Sequence, residues 1–274
     1  MVGVVIVFFG LKNNMISTKV YDCFMFFNEL ELLDLRIKVM DPYVDYFVLV
    51  ESVYTHTGKL KRLIFDENKI LFNNPKIIHI IVEDYPMNSI WGNENFQRNC
   101  ITKGLGNANP NDIIIVSDID EIPNPETLIN NLHLLDKNKI FSLKQKLFYF
   151  YINLFINGTW RGSTVSRFKD MSSPQKMRNR RSRLPVNNGG WHYSYLGDKY
   201  HVSNKIKSFA HSEFNIDEFT NINHIEKCMS NGLDIFERGK KYRVVDIDGN
   251  SPDCIDYFIE KYPNLVKRQH EKIS

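Results

Sequence analysis

The sequence predicts an α/β fold with a mainly parallel central sheet flanked by helices, and three observations carry that prediction. Short apolar runs rich in β-branched and aromatic residues recur at 21–27, 46–50, 77–82 and 113–118. Stretches with helical spacing lie between them, the alternation that parallel strands require. Each run is also followed by acids: Glu29, then Glu51, then Glu83 and Asp84, then Asp118 and Asp120. In open sheets of this kind ligands bind outside the carboxyl ends of the strands, so the acids fall on the ligand side.

In chain order, the run at 21–27 is a strand, and 29–39 carries Leu30, Leu33, Leu35 and Ile37 among charges, as a helix does. Asp41-Pro42 closes that helix, because proline cannot continue it. Strands follow at 46–50 and 77–82, a helix at 93–105, and the most apolar strand at 113–118. After Pro125 the pattern predicts a helix over about 126–135 and strand-like aromatic composition over 141–155. Residues 170–190 are polar, basic and turn-rich, ending in Asn187-Asn188-Gly189-Gly190, and predict a mobile or ligand-dependent loop. Helical spacing returns at 222–229. No Gly/Ser/Pro linker and no repeat divides the chain, so 1–274 is expected as a single domain with halves at 20–135 and 136–274.

A chain of 274 residues that is 43% hydrophobic and 24% charged can bury one large core. A formal net charge of +3 is too small to indicate nucleic acid as a partner. The positive charge is uneven, however, with Arg178, Arg180, Arg181 and Arg183 close together, a cluster that suits phosphate or an acidic partner, a solvated loop being the plainer reading. Cys23, Cys100, Cys228 and Cys254 lack the paired spacing of a zinc or redox motif and read as reduced, packed thiols. The apolar stretch at 2–11 is too short to span a bilayer and lacks a basic n-region and a cleavage site. It reads as a strand or leader, with a truncated anchor as the alternative. No transmembrane segment and a cytoplasmic location are expected. Asn157-Gly158-Thr159 fits a glycosylation pattern and reads here as a turn.

Asp118, Asp120 and Glu121 fall within four positions at the end of a strand too apolar to lie on a surface. Such charge is costly at a sheet rim unless a cation or strong donors meet it. Hard oxygen ligands on one short turn suit Mg²⁺ or Mn²⁺, which keep positions open for water and substrate phosphate. A helix cap near Pro123 is the plainer reading, but a cap needs one acid. The pattern points to a divalent-metal site holding a phosphorylated ligand.

Four stretches carry a family resemblance: YDCFMFFNELELLDLR from Tyr21, VDYFVLVESVYTHTGK from Val44, SDIDEIP from Ser117 and GGWHYSY from Gly189. Together they resemble glycosyltransferase family 17. The resemblance implies a GT-A-like nucleotide-diphospho-sugar fold, with 20–135 as the nucleotide-sugar half and 136–274 as the acceptor half. It implies inversion at the anomeric carbon, a UDP-sugar donor carrying N-acetylglucosamine, and a glycan acceptor. Within that frame Asp120 is the expected metal ligand, and Asp118 serves metal or ribose. Glu51 either contacts the nucleoside or serves as a cap or surface salt bridge, and Arg98 faces the diphosphate or lies on the helix surface. His192 or His211 completes the metal shell, and Trp191 offers a flat face to a sugar ring. A single displacement needs a carboxylate base. Glu213 is the leading candidate, with Phe209 and Phe214 expected to desolvate it and raise its pKa; Asp198 and Glu121 are the others. The alternatives are another nucleotide sugar on the same fold, a glycan- or nucleotide-binding module without turnover, and a metal-dependent phosphohydrolase. Nothing in the sequence defines an oligomeric state.

Overall fold

Strand β1 (Val20–Phe26) sets the frame on which the other elements are placed. It is followed by α1 (Leu30–Met40), β2 (Tyr46–Ser52), α2 (Ile64–Asn68), β3 (Ile77–Val82), α3 (Ile90–Asn99), β4 (Ile113–Asp118), β5 (Glu121–Pro123) and α4 (Pro125–Asn131). The second half contributes β6 (Phe141–Tyr149), β7 (Leu154–Arg167), α5 (Pro174–Asn179), β8 (Pro185–Val186) and β9 (Gly190–Ser194). It ends with α6 (Lys199–Ser208), α7 (Asp217–Thr220), α8 (Ile222–Asn231), β10 (Tyr242–Val244) and α9 (Ile255–Lys261). The computed structural model describes residues 18–86, 89–181, 183–247 and 249–268, so the stretch at 2–11 lies outside the described residues.

One sheet runs through both halves in the order β3-β2-β1-β4-β7-β6-β9-β5, with β10 on β7 and β8 on β6. Its first four strands are parallel, as the alternation of strand and helix predicts. Strand β7 joins β4 antiparallel, and β6 pairs antiparallel with β7 and parallel with β9. The later half of the sheet is therefore mixed, and the aromatic run at 141–155 becomes two neighbouring strands.

The near-continuous apolar runs of β1, β2 and β4 are explained by helices on both sheet faces. Successive side chains point to opposite faces. Phe24, Phe47, Leu49 and Ile115 fill one core, against Leu32, Leu33, Leu35, Val39 and Met40 of α1. Cys23, Val48, Val50, Ile114 and Val116 fill the other, with Cys100, Ile101, Leu105 and Met177. A third cluster joins Tyr149, Ile156, Val202, Ile225, Phe236 and Tyr242 where α6 and α8 cover the end of β6, β7 and β10. All four cysteines are free, three buried and Cys254 half-buried.

Residues 170–190, expected as a mobile or ligand-dependent loop, are helical over part of their length. They contain α5, which starts at a Ser173 cap and buries Pro174, Met177 and Arg178. Of the arginines in this stretch, Arg178 is buried in ion pairs, while Arg180 and Arg183 stay exposed. Among the described residues no helix is long and apolar enough to cross a membrane.

Candidate active site

Strand β4 ends at Asp118, and the chain turns at once into β5, placing Asp120 at the mouth of the crevice outside β1 and β4. Strand β5 pairs antiparallel with β9, and Glu121 stands opposite His192. That pairing depends on Gly190. Its φ is +127°, and a Cβ there would lie 2.1 Å from the Ile122 carbonyl oxygen, so a side chain is excluded. His192 then brings Nε2 to 3.1 Å from Ser194 Oγ and 3.5 Å from Asp120 Oδ1.

Arg36, fully buried on α1, holds the acidic turn from below. Its Nε and Nη2 donate to both oxygens of buried Asp22 at 2.8 and 2.6 Å, and Nη2 also donates to Ser117 Oγ. Nη1 donates to the carbonyls of Asp118, Ile119 and Glu121 at 2.9, 3.2 and 3.1 Å. A guanidinium with every donor engaged fixes three carbonyl directions within four residues, and Asp118 and Asp120 face the crevice as a result.

Cations from three further segments meet the carboxylates. Asp118 accepts from Arg98 of α3 at 3.1 Å and from Arg178 of α5 at 2.7 Å. Burial alone would raise its pKa, but Arg178 and then Arg98 hold it down at about 2. Glu121 is fully buried, accepts from Arg178 and from Trp160 Nε1, and accepts the backbone N–H of Asp118 at 3.0 Å. Asp120 accepts from Lys205 of α6 at 3.1 Å. Burial opposes its ionisation too, and Lys205 followed by His192 overcomes that, leaving the carboxyl far below the usual range. Lys205 also reaches Glu29 Oε1 at 3.3 Å, and despite burial these acids raise its pKa.

The turn opens on a cavity of about 1530 Å³. Asp118, Asp120, Arg98, His192, His211 and Glu213 all line it. The other expected site residues do not. Glu51 is fully buried, accepts backbone N–H groups of Phe65 and Asp66 at 3.1 and 3.4 Å, and pairs with Lys61 and His79. Asp198 caps α6 by accepting from His201 N at 2.7 Å. Trp191 packs in the main core and donates Nε1–H to the Asn250 carbonyl at 2.7 Å. Glu121 lies behind the turn. His211 donates to or accepts from Glu213 at 2.6 Å and meets the edge of Trp91, instead of joining the aspartates. Glu213 has an exposed side chain, and its hydrogen bond with His211 lowers its pKa. The expected desolvation fails because Phe209 packs toward Phe27 and His56, and Phe214 toward Phe236.

Sequence reasoning missed Arg36, Lys205 and Trp160. Arg36 shares the helical stripe of Leu32, Leu33, Val39 and Met40, and a charge on an apolar stripe was the available signal. Lys205 likewise sits beside Val202 and Ile206. Trp160, stacked by Arg181 at 4.9 Å and adjoining His192, carried none.

Among the described residues no group of three or more His, Cys, Asp or Glu side chains is arranged as a metal site. The donor set nevertheless fits a hard cation of another kind. Two aspartates face the cavity, and Mg²⁺ or Mn²⁺ is often held by one or two carboxylates plus substrate phosphate oxygens. Asp118 and Asp120 would hold it, with His192 adjoining, once cations that now meet them give way: Arg98 and Arg178 occupy the two oxygens of Asp118, and Lys205 one side of Asp120.

A cavity of this kind outside the carboxyl ends of parallel strands is where open α/β sheets bind their ligands. The model of glycosyltransferase family 17 matches residues 5–246, and the chain belongs to that family of glycosyltransferases. Among curated relatives, the human beta-1,4-mannosyl-glycoprotein 4-beta-N-acetylglucosaminyltransferase is 29% identical over 107 residues, 35% of this chain and 20% of that protein. The Mus musculus protein of the same name is 28% identical over 107 residues. The match thus spans about a fifth of the length of these relatives. Among solved structures, S. aureus TarS 1–349 is similar at a TM-score of 0.41 and 14% identity, covering 81% of this chain and 77% of that one. Glucosyl-3-phosphoglycerate synthase from Mycobacterium tuberculosis, in complex with Mn²⁺, UDP and phosphoglyceric acid, is similar at a TM-score of 0.38 and 12% identity, covering 88% and 92%.

Proposed function

We propose that this glycosyltransferase is an inverting, metal-dependent enzyme that moves N-acetylglucosamine from UDP to a glycan hydroxyl. The observation that carries the reading is the acidic turn: Asp118 and Asp120 face a large cavity whose walls also bring Arg98, Arg178 and Lys205. The names of the relatives support N-acetylglucosamine as the sugar. A bound Mn²⁺ or Mg²⁺ would offset charge developing on the leaving diphosphate. Asp118 and Asp120, with His192, would hold the cation. Arg98 and Arg178 keep Asp118 ionised, Lys205 does the same for Asp120, and together they bring positive charge to the side of the phosphate oxygens. Glu213 is the proposed base: exposed and ionised in the free enzyme, it gains basicity when an acceptor displaces water around it.

A panel of UDP, GDP and CMP sugars, tested by thermal shift with and without Mn²⁺, examines this reading, because a ligand of the native state raises its melting temperature. A metal-dependent rise with UDP-N-acetylglucosamine, lost in Asp120→Ala and kept in Glu213→Ala, is expected. A well-folded protein that responds to no sugar nucleotide would sink it in favour of a glycan-binding module. Response to another sugar nucleotide alone would keep the enzyme and change the donor.

A further inference from the structure

We propose that the acceptor glycan carries an acidic group, a carboxylate or a phosphate, and that Lys240 and Lys241 receive it at the part of the cavity away from the acidic turn. This rests on the reading that a glycan hydroxyl is the acceptor. The inference starts from the balance of charge along the cavity wall. Every carboxylate lining the cavity has a partner among the described residues: Glu213 has His211, and the others have Arg98, Arg178 or Lys205. The lining cations Lys61 and Arg238 are paired as well, with Glu51 and Asp234. Arg181, Lys240 and Lys241 line the same cavity with no carboxylate at ion-pair distance among the described residues. The diphosphate of a sugar nucleotide and the divalent cation it carries largely cancel, so the donor leaves this surplus unanswered. A cleft with an excess of one sign concentrates ligands of the other.

Position separates the two lysines from the donor. Arg181 stacks over Trp160, whose Nε1 donates to Glu121, so that cation stands beside the acidic turn. Tyr242 pairs with Ile156 in the β10–β7 ladder, which puts Lys241 level with Asn157. Asn157 and Trp160 are separated by roughly 10 Å of strand, well beyond the reach of an ion pair. Between them the β6–β7 register slips from Thr159 to Ile156, and the bulged Asn157 and Gly158 line the cavity. A Cβ on Gly158 would meet nothing within 4 Å, so the space over the bulge is open. Sugar rings extending from the turn along this open stretch bring their substituents to Lys240 and Lys241. Both lysines are exposed, and an anion meets them without rearrangement of the fold.

Three probes that differ only at C6 isolate the acidic group: methyl glucoside, methyl glucuronide and methyl glucoside 6-phosphate. They are titrated by ligand-observed NMR against the full chain saturated with UDP and Mg²⁺, so that the donor phosphate positions are filled. At least one acidic probe should bind about fivefold or more tighter than the neutral one, the scale of two exposed charge contacts. The tighter of the two acidic probes tells carboxylate from phosphate. The double variant Lys240→Met, Lys241→Met should bring the ratio within about twofold, and Lys240→Glu, Lys241→Glu should invert it, a reversal that loss of structure alone does not produce. Both variants should bind UDP with Mg²⁺ as the wild type does. Acidic probes that bind the wild type no better than the neutral one overturn the proposal. So does a preference that survives in both variants, or a loss of UDP affinity as large as the loss of probe affinity, which would assign the lysines to the donor. Failure of the wild type to bind UDP in the same titration would instead remove the proposed donor, and the two failures are thereby told apart.

Discussion

Replacing Arg36 with methionine should be among the most damaging single changes available in this chain. Arg36 and Asp22 are both fully buried, and the guanidinium makes the only two charged contacts described for Asp22. Arg36→Met strands that carboxylate and takes the donor from the carbonyls of Asp118, Ile119 and Glu121. Removing one partner of a buried pair costs about 3–5 kcal/mol. At ~2–4 °C per kcal/mol for a domain of this size, the melting temperature should fall by roughly 6–20 °C. Urea unfolding of Arg36→Met, Asp22→Leu and the double variant measures it. The double variant removes both charges together and should be less destabilised than the sum of the singles, a coupling of at least ~1 kcal/mol in the cycle. A single variant within ~1 kcal/mol of wild type would refute the argument, since the stranded charge would then have found water or protonated at little cost.

Three further outcomes are expected. Gly190→Ala should destabilise by at least ~2 kcal/mol, because the new Cβ meets the Ile122 carbonyl in a backbone conformation only glycine adopts readily; proteolysis near β5 should accelerate, and unchanged stability would mean that β9 shifts freely. Lys205→Met should lower melting temperature and make Mn²⁺ more stabilising than in wild type, as the cation regains an unmatched Asp120; equal Mn²⁺ effects would separate Lys205 from the cation's position. The Asp118 carboxyl, near 2 when folded against 3.8 ordinarily, contributes stability that is complete above about pH 4 and lost as pH falls through 2. The advantage of wild type over Arg178→Met in urea midpoints should accordingly shrink across that window, and a constant difference would contradict it.

Strands β1, β2 and β4 were legible because a strand covered on both faces must be apolar along its whole length, and acids mark where it leaves the sheet. Asp118 and Asp120 were legible for the same reason. Arg178 stood out only as one of a basic cluster; its burial was not legible, because it is created by Glu121, 57 residues away. Trp191 illustrates a readable signal that was passed over. In a strand, adjacent side chains face opposite ways, so His192 toward the cavity sends Trp191 to the core. Glu213 shows the reverse limit: aromatic neighbours in sequence desolvate a carboxyl only if they fold over it, and here they turn elsewhere.

The carboxylates of the acidic turn are matched by Arg98, Arg178 and Lys205, which reach it from helices scattered over more than a hundred positions of the chain. During synthesis the turn emerges with one of these counterions made and two still to come. Until α5 and α6 arrive, the turn is an excess of negative charge that resists its final placement. Completion of the pocket is therefore a late event that coincides with closure of the chain's distal part. A truncation before α6 would leave Asp120 without its lysine partner and so disturb the first half of the chain as well as the second.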